Sequence, residues 1–259
     1  MIGPFAAVTF LTRLPVPWKP AGSMQDVARS QGWFGAVGLL VGLALVAVDR
    51  LAMRALPTSS VDVLVVVTLI VITGALHVDG LADSADGLFG ASSRERRLEI
   101  MRDAHAGTYA IVAIVSVFAM KWAGLAALPG NVRVEALLVV PCFARFAMVL
   151  AIHVFPYARQ DGLGSGFARG AWPGGILLSG ATAVLIAAAL LGAGGLLVLS
   201  FVALVAGGIG LACVRAVGGM TGDTYGATVE ICEAAGWLFI AALANRGWID
   251  ALALSSGAT

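Results

Sequence analysis

The chain has 259 residues, enough for one large domain or two small ones. Hydrophobic residues make up 59% of the chain and charged residues 12%, whereas an average soluble domain has about 45–50% and about 25%. With a mean hydropathy of +0.94, this composition excludes disorder, a coiled coil and an ordinary soluble enzyme. The net charge of +1 produces no overall field that would indicate nucleic acid as a partner. The sequence predicts an all-α polytopic membrane protein that forms a single integral-membrane domain over residues 1–259.

The apolar runs predict about seven transmembrane helices, because a bilayer core needs about 20 apolar residues per helix. They lie at about 33–49, 61–76, 108–128, 134–155, 174–193, 195–214 and 235–253. The fifth and sixth come from one run, which we expect to break at the clustered glycines Gly192 to Gly195. Residues 1–18 have neither the basic start nor the cleavage site of a signal peptide. They are therefore predicted to form an interfacial or re-entrant segment.

Basic residues are unequally divided between alternate loops, which predicts the orientation of the chain. The N-terminus and the loops after spans two, four and six hold ten: Arg13, Lys19, Arg29, Arg94, Arg96, Arg97, Arg102, Arg159, Arg169 and Arg215. The other set holds five: Arg50, Arg54, Lys121, Arg133 and Arg246. The positive-inside rule then predicts a cytoplasmic N-terminus. The acidic segments 77–107 and 215–234 fall on that same side, so we expect carboxylates at the cytoplasmic ends of spans and none in mid-span.

Three aspartates lie in one short segment that follows the second apolar run. Asp79, Asp83 and Asp86 are spaced i, i+4 and i+7, which places them on one face if the segment is helical. Like charges on one stripe repel each other unless a divalent cation lies among them, and carboxylate oxygens suit Mg²⁺ or Mn²⁺ better than zinc. The alternative is a solvated acidic face, although the intervening residues are small or apolar. These aspartates are candidate metal ligands and catalytic residues, and His77 is a candidate substrate-binding residue.

A second acidic segment precedes the last apolar run. Asp223 and Glu230 share a helical face at i and i+7, and Glu233 follows one turn later. Thr221 or Asp223 can cap a helix that begins here, which leaves free N–H groups for a phosphate, and Gly222 permits a close approach to the backbone. We take Asp223 as a catalytic and metal-binding candidate and the other four as substrate-binding candidates. A capped loop without any function is the alternative.

Cationic residues accompany both acidic segments. Arg102 and Asp103 precede an expected helix start at Gly107 and are candidates for binding a substrate phosphate. The neighbouring arginines at 94–97 suit anionic lipid equally well. Arg145 lies inside an apolar span, where a cation is costly, so either a substrate-binding role or a carboxylate partner across a helix interface is expected.

Carboxylate clusters, a divalent cation and nearby arginines together suit phosphoryl chemistry. The residues alone therefore predict a membrane-embedded, Mg²⁺-dependent enzyme that acts on a pyrophosphate or phosphodiester. We also expect the two acidic segments to form one site, with Asp79, Asp83 and Asp86 on one wall and Asp223 on the facing wall.

Two motifs together resemble one family closely. HxDGLADxxDG at 77–87 and TGDxxGAxxExxE at 221–233 occur with Phe10–Pro17, Gly32–Gly38 and Arg97–Asp103 in the order found in the cobalamin synthase (adenosylcobinamide-GDP ribazoletransferase) family. The resemblance implies that adenosylcobinamide-GDP is joined to α-ribazole or its 5′-phosphate with release of GMP, which yields adenosylcobalamin or its 5′-phosphate. It also implies dependence on Mg²⁺ and a bacterial inner-membrane location with the active site facing the cytoplasm.

Two other functions stay open at this stage. A CDP-alcohol phosphotransferase has a related Asp-Gly-x-x-Ala start, but an Arg follows that Ala, whereas Asp83 follows Ala82 here. A cation-coupled transporter would need carboxylates near mid-span, which we do not expect. The lipid bilayer is an expected partner, nucleic acid is not, and a homo-oligomer is compatible with the sequence.

Overall fold

The computed structural model describes residues 3–16, 24–159 and 163–249. These residues form helices and no strand, apart from one isolated parallel bridge between Tyr157 and Met220. The α-helices are α1 Gly3–Leu11, α2 Met24–Arg29, α3 Phe34–Ala52, α4 Thr58–Thr73, α5 Leu76–Gly90, α6 Arg94–Ile100, α7 Thr108–Ala126, α8 Arg133–Val154, α9 Leu163–Arg169, α10 Pro173–Val217 and α11 Gly222–Ala244. A 3₁₀ turn, Ser30–Trp33, joins α2 to α3. The predicted all-α class is confirmed.

Five helical stretches are long and apolar enough to cross a bilayer: Val27–Ala52, α7, α8, α10 and α11. A sixth forms if α4 and α5 together count as one broken span, since they meet at an angle of 92°. The nine-residue helix α1 is too short to cross, which is compatible with the segment expected over 1–18, although residues 1, 2, 17 and 18 lie outside the described residues.

The 45-residue helix α10 is two antiparallel helices. Gly192 has the non-helical angles φ 56° and ψ −137°. A Cβ on Gly195 would lie 2.9 Å from the carbonyl carbon of Ala187, whereas residues eight apart in a straight helix are about 12 Å apart. The chain therefore reverses at Gly192, where the sequence predicted a break. If α10 counts as two spans and the bent α4–α5 pair as one, the described helices give seven spans, in approximate agreement with the predicted number.

A sharp turn separates α4 from α5. Gly74 and Ala75 both have positive φ, 60° and 59°, which ends α4 and sends α5 off at nearly a right angle. The backbone N–H of Arg13, just after α1, donates to the carbonyl of Ile72 at 2.7 Å and packs the N-terminal segment against this turn. The aspartates at 79, 83 and 86 are therefore helical, as predicted.

The last predicted span, 235–253, has the wrong bounds. A capping box at Thr221 starts α11 at Gly222. The backbone N–H of Thr224 donates to the Thr221 hydroxyl at 3.2 Å, and the backbone N–H of Thr221 donates to the Thr224 hydroxyl at 2.7 Å. The helix ends at Ala244, and residues 250–253 lie outside the described residues. Glu230 and Glu233 therefore lie within a span, and the expectation of no mid-span carboxylates is wrong.

Most of the polar segments meet at one end of the bundle, which we call the α5 end. Arg94 on α6 donates to the carbonyls of Val217 and Ala158, both at 2.9 Å, and thereby ties α6 to the end of α10 and to the segment after α8. At the opposite end Arg133 is buried between Asp49 and Asp62, at 2.8 and 2.6 Å. Asp79 and Asp223 lie together at the α5 end, so the beginnings of both acidic segments are on one side, whereas Glu230 and Glu233 lie deeper within α11.

Candidate active site

A cavity of about 260 Å³ lies at the α5 end. One side is polar and carries His77, Asp79, Arg159 and Asp223, and the other is apolar. The full lining is Phe10, Phe34, Leu76, His77, Asp79, Gly80, Met148, Ile152, Tyr157, Arg159, Phe167, Gly222, Asp223, Tyr225 and Gly226. The cavity therefore contains residues from both predicted acidic segments.

Two glycines bring those segments together. A Cβ on Gly80 would lie 2.6 Å from the carbonyl oxygen of Asp223 and 3.2 Å from the Cα of Gly226. Because neither glycine has a side chain, the backbones of α5 and α11 touch, and Asp223 lies beside the aspartates of α5. Asp83 interacts electrostatically with Asp79, Asp223 and Asp86, although it does not line the cavity itself. The four predicted catalytic aspartates thus share one electrostatic environment.

Arg159 lies beside these carboxylates, and no sequence pattern indicated its role. Its guanidinium Nη2 lies 2.9 Å from Oδ2 of Asp223. Two backbone hydrogen bonds hold its segment beside the start of α11: Met220 N–H to Pro156, and Ala158 N–H to Met220, both at 2.8 Å. One guanidinium faces three carboxylates, so the site keeps an excess of negative charge that can attract a divalent cation.

Asp86 is engaged elsewhere. Its two carboxylate oxygens accept the backbone N–H groups of Gly107 at 2.6 Å and Ala110 at 2.9 Å, so it caps the N-terminus of α7. This differs from the metal-ligand and catalytic role expected for it. Because both oxygens already serve the helix, the remaining aspartates on α5 and α11 are the available ligands.

The donor set fits Mg²⁺. Asp79, Asp83 and Asp223 offer hard carboxylate oxygens, and Asp79 is exposed while the other two are partly so. Within the part of the chain that the structure describes, no three acidic, His or Cys side chains converge as a preformed metal cage. Mg²⁺ usually binds through one or two carboxylates and completes its shell with water and substrate phosphates, so a preformed cage is not required.

Glu230, Glu233 and Arg145 form a buried ion cluster with Lys121 instead of contacting either cavity. Lys121 Nζ lies 2.6 Å from Glu230 Oε2 and 2.5 Å from Glu233 Oε2, and Arg145 pairs with the other oxygen of Glu233. All four side chains are at most 3% exposed. Two cations thus neutralise two carboxylates between α7, α8 and α11, which differs from the substrate contacts expected for three of them.

Of the other candidates on α5 and α11, two line the cavity and one does not. His77 is 2% exposed, and among the described residues neither of its ring nitrogens has a hydrogen-bond partner, so both are available to a ligand. Gly222 lines the cavity, whereas Thr221 is buried as the cap of α11 and donates to Asp223 at 3.2 Å.

A second cavity, of about 510 Å³, adjoins α6. It is lined by Arg94, Glu95, Leu98, Glu99, Arg102, Ala158 and Arg159. Arg102 thus lies where a phosphate contact was expected, and Arg159 lines both cavities. Asp103 is exposed and lines neither cavity. Its carboxylate forms a hydrogen bond with Nδ1 of His105 at 2.7 Å, which holds the pKa of Asp103 below its usual range.

Fold and site together define a polytopic helical membrane protein with an acidic, arginine-flanked site at one end of its bundle. Comparisons with known proteins narrow this class. The profile of the cobalamin-5-phosphate synthase family matches residues 3–241, and the chain belongs to that family. The resemblance noted in the sequence is therefore confirmed.

Similar curated proteins cover nearly the whole chain. A Roseiflexus sp. (strain RS-1) protein is 40% identical over 237 residues, which are 89% of this chain and 87% of that protein. A Geotalea daltonii protein is 36% identical over 255 residues, covering 93% and 98%. A Herpetosiphon aurantiacus protein is 38% identical over 240 residues, covering 93% and 96%. All three are named adenosylcobinamide-GDP ribazoletransferase, and no solved structure matches the chain.

Proposed function

We propose that this chain is a Mg²⁺-dependent transferase that joins adenosylcobinamide-GDP to α-ribazole, or to α-ribazole 5′-phosphate, and releases GMP. The product is adenosylcobalamin or its 5′-phosphate. The names of the relatives support the reaction. The observation that carries it is the contact between α5 and α11, which brings the aspartates of α5 close to Asp223. Asp79, Asp223 and Arg159 line one cavity, and Asp83 interacts electrostatically with all three.

The bonds that change follow from the substrates. Because a 5′-phosphate on the acceptor is retained in the product, the attacking group is a secondary hydroxyl of the ribose. Its oxygen forms a bond to the phosphorus that carries the cobinamide arm, and the diphosphate bond breaks so that GMP leaves with the bridging oxygen. The hydroxyl proton passes to a carboxylate, and Asp79 and Asp83 are the candidates on the α5 wall.

The polar side chains of the site have separate roles in this proposal. Asp79, Asp83 and Asp223 would hold Mg²⁺, which when bound neutralises non-bridging phosphate oxygens and the developing charge on the leaving phosphate. Arg159 and Arg102 line the second cavity and are suited to binding phosphate oxygens through their guanidinium groups. His77, whose ring nitrogens have no hydrogen-bond partner in the described part of the chain, would orient the acceptor.

The same proposal places the α5 end in the cytoplasm and the protein in the bacterial inner membrane. Nine of the ten basic residues in the predicted cytoplasmic set belong to the described residues, and the tenth, Lys19, lies outside them. Lys121 belongs to α7 and is buried, so the opposite set falls from five to four. This stronger asymmetry favours a cytoplasmic α5 end.

The alternatives receive less support. The mid-span carboxylates that a cation-coupled transporter would need are present, but Lys121 and Arg145 neutralise them. The match to the family over residues 3–241 likewise favours the ribazoletransferase over a CDP-alcohol phosphotransferase.

The test is turnover by purified protein in detergent or lipid nanodiscs. Adenosylcobinamide-GDP and α-ribazole are supplied with Mg²⁺, and corrinoid product and GMP are quantified by liquid chromatography and mass spectrometry. We expect equimolar product and GMP, loss of both with EDTA, and recovery when Mg²⁺ is restored. Folded protein that forms no product with Mg²⁺ present would contradict the proposed reaction, and turnover unaffected by EDTA would contradict the metal.

A further inference from the structure

The cavity has an apolar half that the phosphoryl chemistry does not use. Phe10, Phe34 and Phe167 form a cluster with ring centroids 4.7, 5.8 and 6.0 Å apart. Met148 and Ile152 on α8 complete this wall and are each 4% exposed. Side chains from α1, α3, α8 and α9 thus surround one space that ends at the acidic wall.

These side chains are buried, so exposure to lipid does not explain them. Phe34 is 0% exposed and Phe167 is 5% exposed, yet both line open volume. Protein interiors are normally filled to crystal-like density, so an apolar space of this kind next to a reactive centre suits a ligand. Small-molecule sites have this composition: mostly apolar and aromatic walls with a few polar groups that fix orientation.

The size of the cavity restricts which substrate part it holds. Its volume of about 260 Å³ is near the lower limit of ligand pockets, which run from about 300 to about 1,000 Å³. It can take one fused aromatic ring system with part of a sugar, but not a corrin macrocycle.

The two substrates contain two aromatic bases, guanine and dimethylbenzimidazole, which differ in polarity. Guanine has hydrogen-bonding groups along its edges, and an apolar wall would leave several of them unpaired, which is unfavourable. The dimethylbenzimidazole of α-ribazole is flat and largely apolar, so it leaves few hydrogen-bonding groups unpaired when it enters the cavity. Among the parts of the two substrates, this base matches the wall.

We propose that the apolar half of the cavity is the subsite for the aromatic base of the acceptor. This inference rests on the proposed function and deepens it. With the base against Phe34 and Phe167, the ribose lies at the polar side, where Asp79 and Asp223 line the same cavity. The corrinoid and the guanosine diphosphate then approach from the side of the second cavity, which Arg159 connects to the first.

A cavity-filling variant tests the assignment. Met148→Phe places a ring in the cavity, and Leu150→Phe is the matched control because Leu150 is on the same helix but does not line the cavity. We expect Met148→Phe to raise the KM for α-ribazole by about tenfold or more, a usual effect of a change in pocket size, while the KM for adenosylcobinamide-GDP changes little. A rise in the donor KM instead, or equal behaviour of both variants, would overturn the inference.

Two measurements on the unaltered protein keep the inference testable if the variant does not fold. Saturation-transfer NMR with α-ribazole alone, without donor or Mg²⁺, should give stronger saturation of the benzimidazole protons than of the ribose protons. In turnover, a riboside with a hypoxanthine base should have a higher KM than α-ribazole. Uniform saturation together with indifference to the base would refute the subsite while leaving the reaction intact, whereas no turnover with either acceptor would refute the reaction.

Discussion

Replacing Lys121 by Met tests whether the buried ion cluster stabilises the bundle. Lys121 is 1% exposed and binds Glu230 and Glu233 at once. After the substitution Glu233 keeps Arg145, but Glu230 has no other ion pair among the described residues. The variant therefore leaves one uncompensated carboxylate inside the membrane-spanning region.

The expected loss follows from that unpaired charge. Removing one partner of a buried ion pair costs about 3–5 kcal/mol. At about 2–4 °C per kcal/mol for a chain of about this size, the unfolding midpoint should fall by about 6–20 °C. The double variant Lys121→Met/Glu230→Gln removes one charge of each sign and leaves the Arg145–Glu233 pair, so it should regain most of this loss.

The chain contains its own reporters of unfolding. Cys142, Cys213 and Cys232 are all free and buried, so a thiol-reactive fluorophore labels them when the protein unfolds on heating. Arg96→Met is the control, because its pair with Glu99 is exposed and solvent screening leaves such a surface pair little effect on stability. A double variant less stable than Lys121→Met alone would show that the charges act independently and would refute the reasoning.

Three further outcomes are expected. Asp86→Ala removes the cap of α7 and should destabilise the protein by about 0.5–2 kcal/mol, and an unchanged melting midpoint with lost turnover would assign Asp86 to the chemistry instead. Ser92→Cys, an exposed site near the acidic segment, should react with an impermeant reagent in lysed cells but not in intact spheroplasts, and labelling of spheroplasts would reverse the topology. Gly80→Ala should reduce turnover at least about tenfold by separating α5 from the Asp223 backbone. The control is Gly130→Ala, where an added Cβ would meet nothing within 4 Å and turnover should not change. Equal activities of the two variants would argue against close helix contact as a requirement.

Local patterns predicted the features that depend on neighbours in sequence. The spacing of Asp79 and Asp83 predicted a shared helical face, and both lie on α5. Clustered glycines predicted the reversal that occurs at Gly192. The start of the last span was set too late because the apolar window begins only after Glu233, although Thr221 and Asp223 were correctly named as candidate caps of a helix that begins there.

The features that were missed depend on partners far apart in the chain. Glu230 is tolerated in mid-helix because Lys121, on another helix, neutralises it. Arg159 reaches Asp223 because Ala158 and its neighbours pair with Met220, a contact between segments about 60 residues apart that no local period reveals. Asp86 fitted the acidic stripe, yet its partners are the amides of the next span.

The central claim is that the acidic faces of α5 and α11 form a single catalytic site, and a double-variant cycle in kcat/KM tests it most directly. Asp83→Ala and Asp223→Ala should each lower kcat/KM by about 10²–10⁴, since each removes a group expected to support the metal or the proton transfer. The effects of residues that act as a unit are non-additive, so kcat/KM of the combined variant should be no more than about tenfold below that of the less active single variant. If the two losses instead multiply in a protein that is still folded, the two helices contribute independently and the account of one shared site is contradicted.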